Sequence, residues 1–115
     1  MIRDSIVLVP FPFDDFSTLK VRPAICISDF TGNYDHVIIA FISSKIPSKL
    51  SESEILIQVE SKKEKTTGLT VDSVIKLHKV VSIPKAMIKR KLGKIDGETR
   101  TNVEAKLKHL LHIEQ

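Results

Sequence analysis

Short runs of β-branched and aliphatic residues, separated by turn-forming residues, recur through the chain up to residue 95. Such runs are typical of β-strands, because branched side chains pack well on a pleated surface. The second and third runs are apolar almost throughout, so we expect them in the middle of a sheet with both faces covered. The predicted strands are Ser5 to Val9, Arg22 to Ser28, His36 to Ser43, Ile55 to Val59, Val71 to Ile83 and Ile88 to Ile95.

Prolines and polar stretches divide these runs. The Pro-Phe-Pro-Phe segment at residues 10–13 should leave the sheet, because proline cannot donate a hydrogen bond to a strand ladder. A polar loop over residues 14–20 and a lysine-rich loop from Ser61 to Gly68 are predicted next. Pro84 should end the fifth strand and start a short helical turn, and the one-sided charge of the sixth strand favours a sheet edge.

From Asp96 the hydrophobic spacing changes from two to three or four residues, which predicts a helix capped by the Asp96 carboxylate. Val103, Leu107, Leu110 and Leu111 should form its buried face. A run of short strands followed by one amphipathic helix indicates the α+β class, with a small, curved, largely antiparallel sheet or partly open barrel. The length, 115 residues, suits a single domain over residues 1–115.

Apolar residues make up 42% of the chain and charged residues 28%, a mixture typical of soluble globular proteins. No apolar run approaches the roughly 20 residues that cross a bilayer, so we expect no contact with a membrane. Pro10 and Pro12 follow the N-terminus too soon for a secretory signal, which favours a cytoplasmic protein. The lone Cys26 lies in an apolar run and is predicted to be a packed core thiol.

Charge is distributed unevenly along the chain. Residues 1–60 contain five Lys/Arg against eight Asp/Glu, whereas residues 61–115 contain thirteen against six, so the second half carries +7. Such clustering suits attraction to a polyanion such as RNA, or to an acidic segment of a partner protein. A solvated basic face is the alternative reading of the charge alone.

Common catalytic signatures are absent from the sequence, including a glycine-rich phosphate loop, paired cysteines for zinc and a Gly-x-Ser-x-Gly elbow. His109 and His112 are three residues apart on the predicted helix, but no third ligand has a suitable spacing. His36 and His78 occur singly on strands, where a structural histidine is more common. We therefore predict no metal and no cofactor.

Four sequence blocks, taken in order, resemble the MazF/PemK-type toxins of type II toxin–antitoxin systems. The Arg-Pro-hydrophobic strand is the most specific of them. The third block ends in a hydroxyl residue where the family has threonine, and the opening Gly-Asp of the family is Asp4-Ser5 here. The blocks are Arg3 to Phe11, Val21 to Ser28, Val37 to Lys45 and Gly68 to Leu77, with Leu92 to Ile95 preceding the helix.

The resemblance implies the small SH3-like, partly open barrel of MazF- and CcdB-type toxins. It implies a metal-independent endoribonuclease that cleaves single-stranded RNA by attack of the 2′-hydroxyl, giving a 2′,3′-cyclic phosphate and a 5′-hydroxyl. A homodimer is implied as well, neutralised by a cognate antitoxin whose acidic, disordered segment lies in the RNA groove.

Arg22 and Ser43 match the residues that the family uses for catalysis. A guanidinium stays charged and donates two parallel hydrogen bonds to phosphate oxygens, which suits the charge that develops during cleavage. Ser43 keeps the hydroxyl of the family threonine without its methyl group. On chemistry alone, Arg22 is better explained as an exposed strand-end arginine, and only the resemblance reverses that preference. Ser43 is equally well explained as a turn-forming residue at the end of a strand.

Four further residues are predicted to contact RNA. Ser44 and Lys45 follow Ser43 directly, and Lys20 precedes the Arg-Pro strand, so all three suit phosphate contacts. Phe16 is a candidate for stacking on an unpaired base.

Two other functions remain open at this point. A toxin of the gyrase-binding type would act through a protein–protein contact at an exposed apolar helix end, and an inactive family member would have lost its activity through the changes at Asp4-Ser5 and Ser43. The absence of tryptophan and the pair Arg22 and Ser43 favour the nuclease.

Overall fold

The computed structural model describes residues 1–10 and 20–114, for residues 62–64 the backbone only. The described part contains two short 3₁₀ helices, Lys62–Thr67 and Lys85–Met87, and one α-helix, α1, Gly97–Leu110. Its strands are β1 Ser5–Pro10, β2 Val21–Cys26, β3 His36–Ser43, β4 Glu54–Ile57, β5 Ser73–Pro84 and β6 Arg90–Lys94. The predicted strands are confirmed to within a few residues, except that β1 extends to Pro10, which pairs with Val21.

The strands form a single antiparallel sheet in the order β4-β5-β3-β2-β1-β6, curled into a half-barrel with α1 beside it. The predicted α+β class is therefore confirmed. β3 and β2 occupy the centre and β6 lies at an edge, as their hydrophobic patterns predicted.

Two irregularities in pairing bend this sheet. Along β3, the partner residue on β5 changes from Val80 opposite Ala40 to Lys76 opposite Phe41. Three residues of β5, at positions 77–79, therefore lie between the partners of two consecutive β3 residues. A smaller shift separates Ile6 and Val7 on β1 where it pairs with β6. Extra residues in one strand increase twist and bend it, which lets six strands curl into a half-barrel.

Alternating side chains of the central strands supply two hydrophobic clusters, one on each face of the sheet. Ile25 and Ala40 belong to the cluster that also contains Val103 of α1. Cys26 and Phe41 belong to the other. Cys26 is fully buried, and burial raises the pKa of its thiol to about 11, so it is a core residue as predicted.

Asp96 caps α1 as predicted: its carboxylate accepts a hydrogen bond from the backbone N–H of Thr99 (2.8 Å). The predicted buried face is correct for Val103 and, in part, for Leu107. It is wrong for Leu110 and Leu111, which are 37% and 60% exposed, because the first half of the helix meets the sheet and its end does not.

Asp4 joins the N-terminus to the helix. Its backbone is left-handed (φ 73°), a conformation that glycine favours and that the family's opening glycine would supply. Its N–H donates to the Cys26 carbonyl (2.8 Å), and its buried carboxylate pairs with Arg100 of α1 (2.6 Å). Asp4 therefore both forms the turn and pairs with the helix.

The lysine-rich segment after β4, predicted as a loop, is instead the 3₁₀ helix Lys62–Thr67, packed on β6. The backbones meet so closely that a Cβ atom on Gly93 would lie 2.1 Å from the Thr66 carbonyl oxygen. The Thr66 hydroxyl also donates to the Lys94 carbonyl (2.9 Å). Gly93 is required by this contact rather than by its own backbone angles.

Replacing Gly93 with alanine should therefore separate the 3₁₀ helix from β6 and lower the free energy of unfolding by about 2 kcal/mol, the usual scale of overpacking. Urea denaturation measures this. Gly97→Ala is the matched control, since nothing lies within 4 Å of its added Cβ. Equal stabilities of the two variants would contradict the proposed close contact.

Glu54 and Lys76 form an ion pair between β4 and β5, with Lys76 Nζ 2.9 Å from Glu54 Oε2. The other carboxylate oxygen accepts the backbone N–H of Ser51 (2.9 Å). The bond from Lys76 and the bond from Ser51 together lower the pKa of Glu54 from 4.5 to about 2. Because the folded-state pKa is the lower one, the pair contributes stability above pH 4.5 and loses it as the pH falls towards 2.

Glu54→Gln should therefore reduce the free energy of unfolding most above pH 5 and progressively less between pH 4.5 and 2. Urea midpoints of the parent and the variant, measured across that range, give the difference. A difference that stays constant with pH would mean that the charge of Glu54 does not contribute to stability.

Candidate nucleic-acid interface

A groove of about 620 Å³ runs along the end of the sheet at which β1 and β3 finish and β2, β5 and β6 begin. Because neighbouring strands are antiparallel, strand ends far apart in sequence meet there. The segment Gly68 to Val71, which leads into β5, also lines the groove.

Arg22 and Ser43, the two predicted catalytic residues, both line this groove. The ladder between β2 and β3 ends at the pair Ala24 and Phe41. Arg22 lies two residues before Ala24 on β2, and Ser43 lies two residues after Phe41 on β3, so both side chains project from the face of that pair. Arg22 is half-buried.

The oxygen of the Ser43 hydroxyl accepts a hydrogen bond from the backbone N–H of Lys45 (3.1 Å). This bond orients the oxygen without using its hydrogen. A hydroxyl both accepts and donates, so the O–H of Ser43 can still donate to an anion in the groove.

The predicted RNA contacts fall into three groups. Ser44 and Lys45 are exposed and line the groove. Lys20 is exposed directly before β2 but is not among the lining residues. Phe16 lies outside the described residues, so its predicted stacking role stays a prediction.

Three cations of the groove were missed from the sequence: Lys76 and Lys79 of β5 and Arg90 of β6. A signal for Lys76 was present, because a charged side chain between Ile75 and Leu77 is unusual in an apolar strand. Lys79 lies within the three residues that the register shift accommodates, a feature that strand alternation does not reveal.

Among the described residues, five cations and no carboxylate line the groove. Like charges that converge on a concave surface raise the local concentration of an anion and speed its association. Hydroxyl groups of Ser43, Ser44, Thr70 and Ser73 add neutral hydrogen-bonding groups. The combination suits a phosphodiester backbone, which needs both charge and hydrogen-bond donors.

The histidines lie elsewhere. His78 Nδ1 is hydrogen-bonded to the Ser53 hydroxyl (2.7 Å), which fits the predicted structural role. His109 Nε2 lies 3.1 Å from Glu52 Oε2, and both side chains are mostly exposed. Within the described ranges, no three His, Cys, Asp or Glu residues come close enough together to hold a metal ion. Nor does any helix there have the length and apolar composition to span a membrane.

Solved structures of known toxins share the fold. A Mycobacterium tuberculosis toxin, MazF-mt6, matches with a TM-score of 0.74 at 14% identity, over 96% of this chain and 99% of that one. MazF from Deinococcus radiodurans matches with a TM-score of 0.71 at 17% identity, over 96% of both chains. A mycobacterial endoribonuclease in complex with its cognate antitoxin matches with a TM-score of 0.70 at 11% identity, over 100% of this chain and 98% of that one.

At these identities the structural matches establish the fold alone. No curated protein matches the chain significantly. The sequence profile of one family does match, and it spans residues 2–111, nearly the whole chain. The chain therefore belongs to the PemK-like, MazF-like toxins of type II toxin–antitoxin systems.

Proposed function

We propose that this toxin is a metal-independent endoribonuclease that cleaves single-stranded mRNA in the cytoplasm. The observation that carries the proposal is the convergence of Arg22 and Ser43 in one groove with additional cations. The family and the mycobacterial endoribonuclease of the same fold support it.

Cleavage without a metal requires the 2′-hydroxyl of one nucleotide to lose its proton and attack the adjacent phosphorus, while the bond to the next 5′-oxygen breaks and that oxygen takes up a proton. Negative charge develops on the phosphoryl oxygens in the transition state. Arg22 donates two hydrogen bonds to these oxygens and Ser43 donates one through its O–H. The products are a 2′,3′-cyclic phosphate and a 5′-hydroxyl.

Lysine and serine residues beside the reacting phosphate hold the rest of the RNA. Ser44 and Lys45 contact the backbone next to Ser43, and Lys20, which directly precedes β2, contacts a further phosphate. Phe16 is assigned the stacking of an unpaired base. Contacts to phosphates position the strand, whereas recognition of unpaired bases supplies sequence preference.

The positive charge of the groove also suits an antitoxin partner. An acidic, disordered segment of the cognate antitoxin competes with RNA for the cationic groove, which neutralises the toxin. We also propose an isologous homodimer, as expected for the family. A gyrase-binding mode of action and an inactive family member have no support from the comparisons.

Replacing Arg22 with lysine should lower the rate of RNA cleavage about 10²-fold or more, the scale of losing one transition-state donor. The positive charge remains but the planar pair of donors is lost, so binding should weaken only modestly. Single-turnover cleavage of a short RNA in EDTA measures the rate, and titration with a non-cleavable 2′-deoxy analogue measures binding.

Two substitutions of Ser43, one that removes the hydroxyl and one that keeps it, complete this experiment. Ser43→Ala should slow cleavage, and Ser43→Thr should preserve or improve it, since threonine is the family residue. Cleavage by Arg22→Lys at the parent rate, or cleavage that requires a divalent ion, would contradict the mechanism.

Affinity for an acidic antitoxin segment should fall as the salt concentration rises, because the groove concentrates five cations. Isothermal titration with the antitoxin peptide between about 50 and 500 mM salt tests this. Binding that does not change with salt would instead indicate that apolar contacts dominate.

A further inference from the structure

Lys76 occupies a specific place beside the proposed cleavage site. On β5 it pairs with Phe41 of β3, two residues before Ser43. Residues two apart on a strand share a face, so Lys76 is a diagonal neighbour of Ser43 on that face. Lys76 also lines the groove.

The Lys76 side chain is held from the opposite side. Its partner across the next pair of strands is Glu54 of β4, which does not line the groove. The Glu54 carboxylate is only 7% exposed and is itself fixed by the Ser51 N–H. An ammonium group has three donors and this contact uses one, so two remain for other acceptors.

A carboxylate so close to an anion site has an electrostatic consequence. It reduces the net positive charge of the region by one and so opposes the attraction of a polyanion. If affinity alone mattered, a neutral residue at this position would serve better. A fixed lysine amine, however, has already lost most of its rotamer freedom before the substrate arrives, which favours a correctly placed contact over a tight one.

We propose that Lys76 contacts a phosphate next to the scissile one and that Glu54 is a positioning residue which holds the Lys76 amine at that place. The inference rests on the proposed ribonuclease function. According to this proposal, the Glu54–Lys76 pair raises the rate of RNA cleavage and lowers the affinity for RNA, in the same groove as Arg22 and Ser43.

Three variants of the full chain test this: Lys76→Met, Glu54→Gln and the double variant. Single-turnover cleavage in EDTA and binding of a 2′-deoxy analogue at several salt concentrations are measured for each, with melting temperature as the check on folding. Lys108→Met and Glu104→Gln are matched controls, because they make the same charge changes on α1, which has no residue in the groove.

Lys76→Met should lower the cleavage rate about tenfold or more. It should also reduce the slope of log affinity against log salt by about 1, the change expected for the loss of one phosphate contact. Glu54→Gln should also slow cleavage about tenfold, while binding stays equal or becomes tighter because a negative charge is removed. The double variant should cleave no more slowly than Lys76→Met, since Glu54 acts through Lys76. Both controls should behave as the parent does.

Opposite changes in rate and affinity distinguish positioning from a structural role. If Glu54→Gln weakens cleavage and binding in proportion, alongside a lower melting temperature, Glu54 only joins β4 to β5 and the positioning proposal is wrong. If Lys76→Met cleaves within twofold of the parent rate and leaves the salt slope unchanged, Lys76 does not contact the phosphate.

The ribonuclease proposal and this one fail in different ways. A parent protein that cleaves no RNA contradicts the first. The binding measurements then still decide the second: a salt slope that Lys76→Met does not change overturns it, as does binding that Glu54→Gln weakens.

Discussion

β3 pairs in antiparallel fashion with β2 on one side and β5 on the other. This pairing sets the positions of Arg22, Ser43 and Lys76, three side chains of the candidate site. Because side chains alternate between faces, a register slip of one residue would move Arg22, Ser43 or Lys76 to the opposite face. Buried apolar residues on both faces of β3 resist such a slip. The hydrophobic core thus fixes the geometry of the polar site that lies beside it.

Positive charge lies inside the groove, and the negative charge of Glu54 lies outside it. The described residues that line the groove are cationic or neutral, and the carboxylate of Glu54 pairs with Lys76 from outside the groove. Converging cations repel one another, which costs folding stability and favours an anionic ligand. The Glu54–Lys76 pair relieves part of that repulsion and also joins the edge strand to its neighbour.

Close backbone contact stabilises the far side of the groove. The segment that follows the 3₁₀ helix begins at Gly68, whose left-handed backbone turns the chain against Leu92 of β6. Together with Gly93 it lets two backbones approach without intervening side chains. The residues from Gly68 to Val71 can then line the groove together with Arg90 and Leu92 of β6.

Local physical chemistry made much of this readable from the sequence. β-branched runs predicted the strands, the uniformly apolar runs predicted the central pair, and Asp96 predicted the helix start, because each depends on side chains close in sequence. The Arg-Pro strand and the terminal hydroxyl of β3 indicated Arg22 and Ser43 through resemblance. Leu110 and Leu111 were misjudged because spacing predicts a helix face but not how far the sheet extends to cover it.

The sequence by itself therefore determined the strands, the α-helix, the fold class and two candidate members of the site. Only the tertiary structure decided which strand ends meet, that Lys76, Lys79 and Arg90 join them, and that Glu54 holds Lys76 from a separate strand. These arrangements bring into one groove residues as far apart along the chain as Arg22 and Arg90, 68 positions. Strand order and a three-residue register shift create them, and neither leaves a local pattern in the sequence.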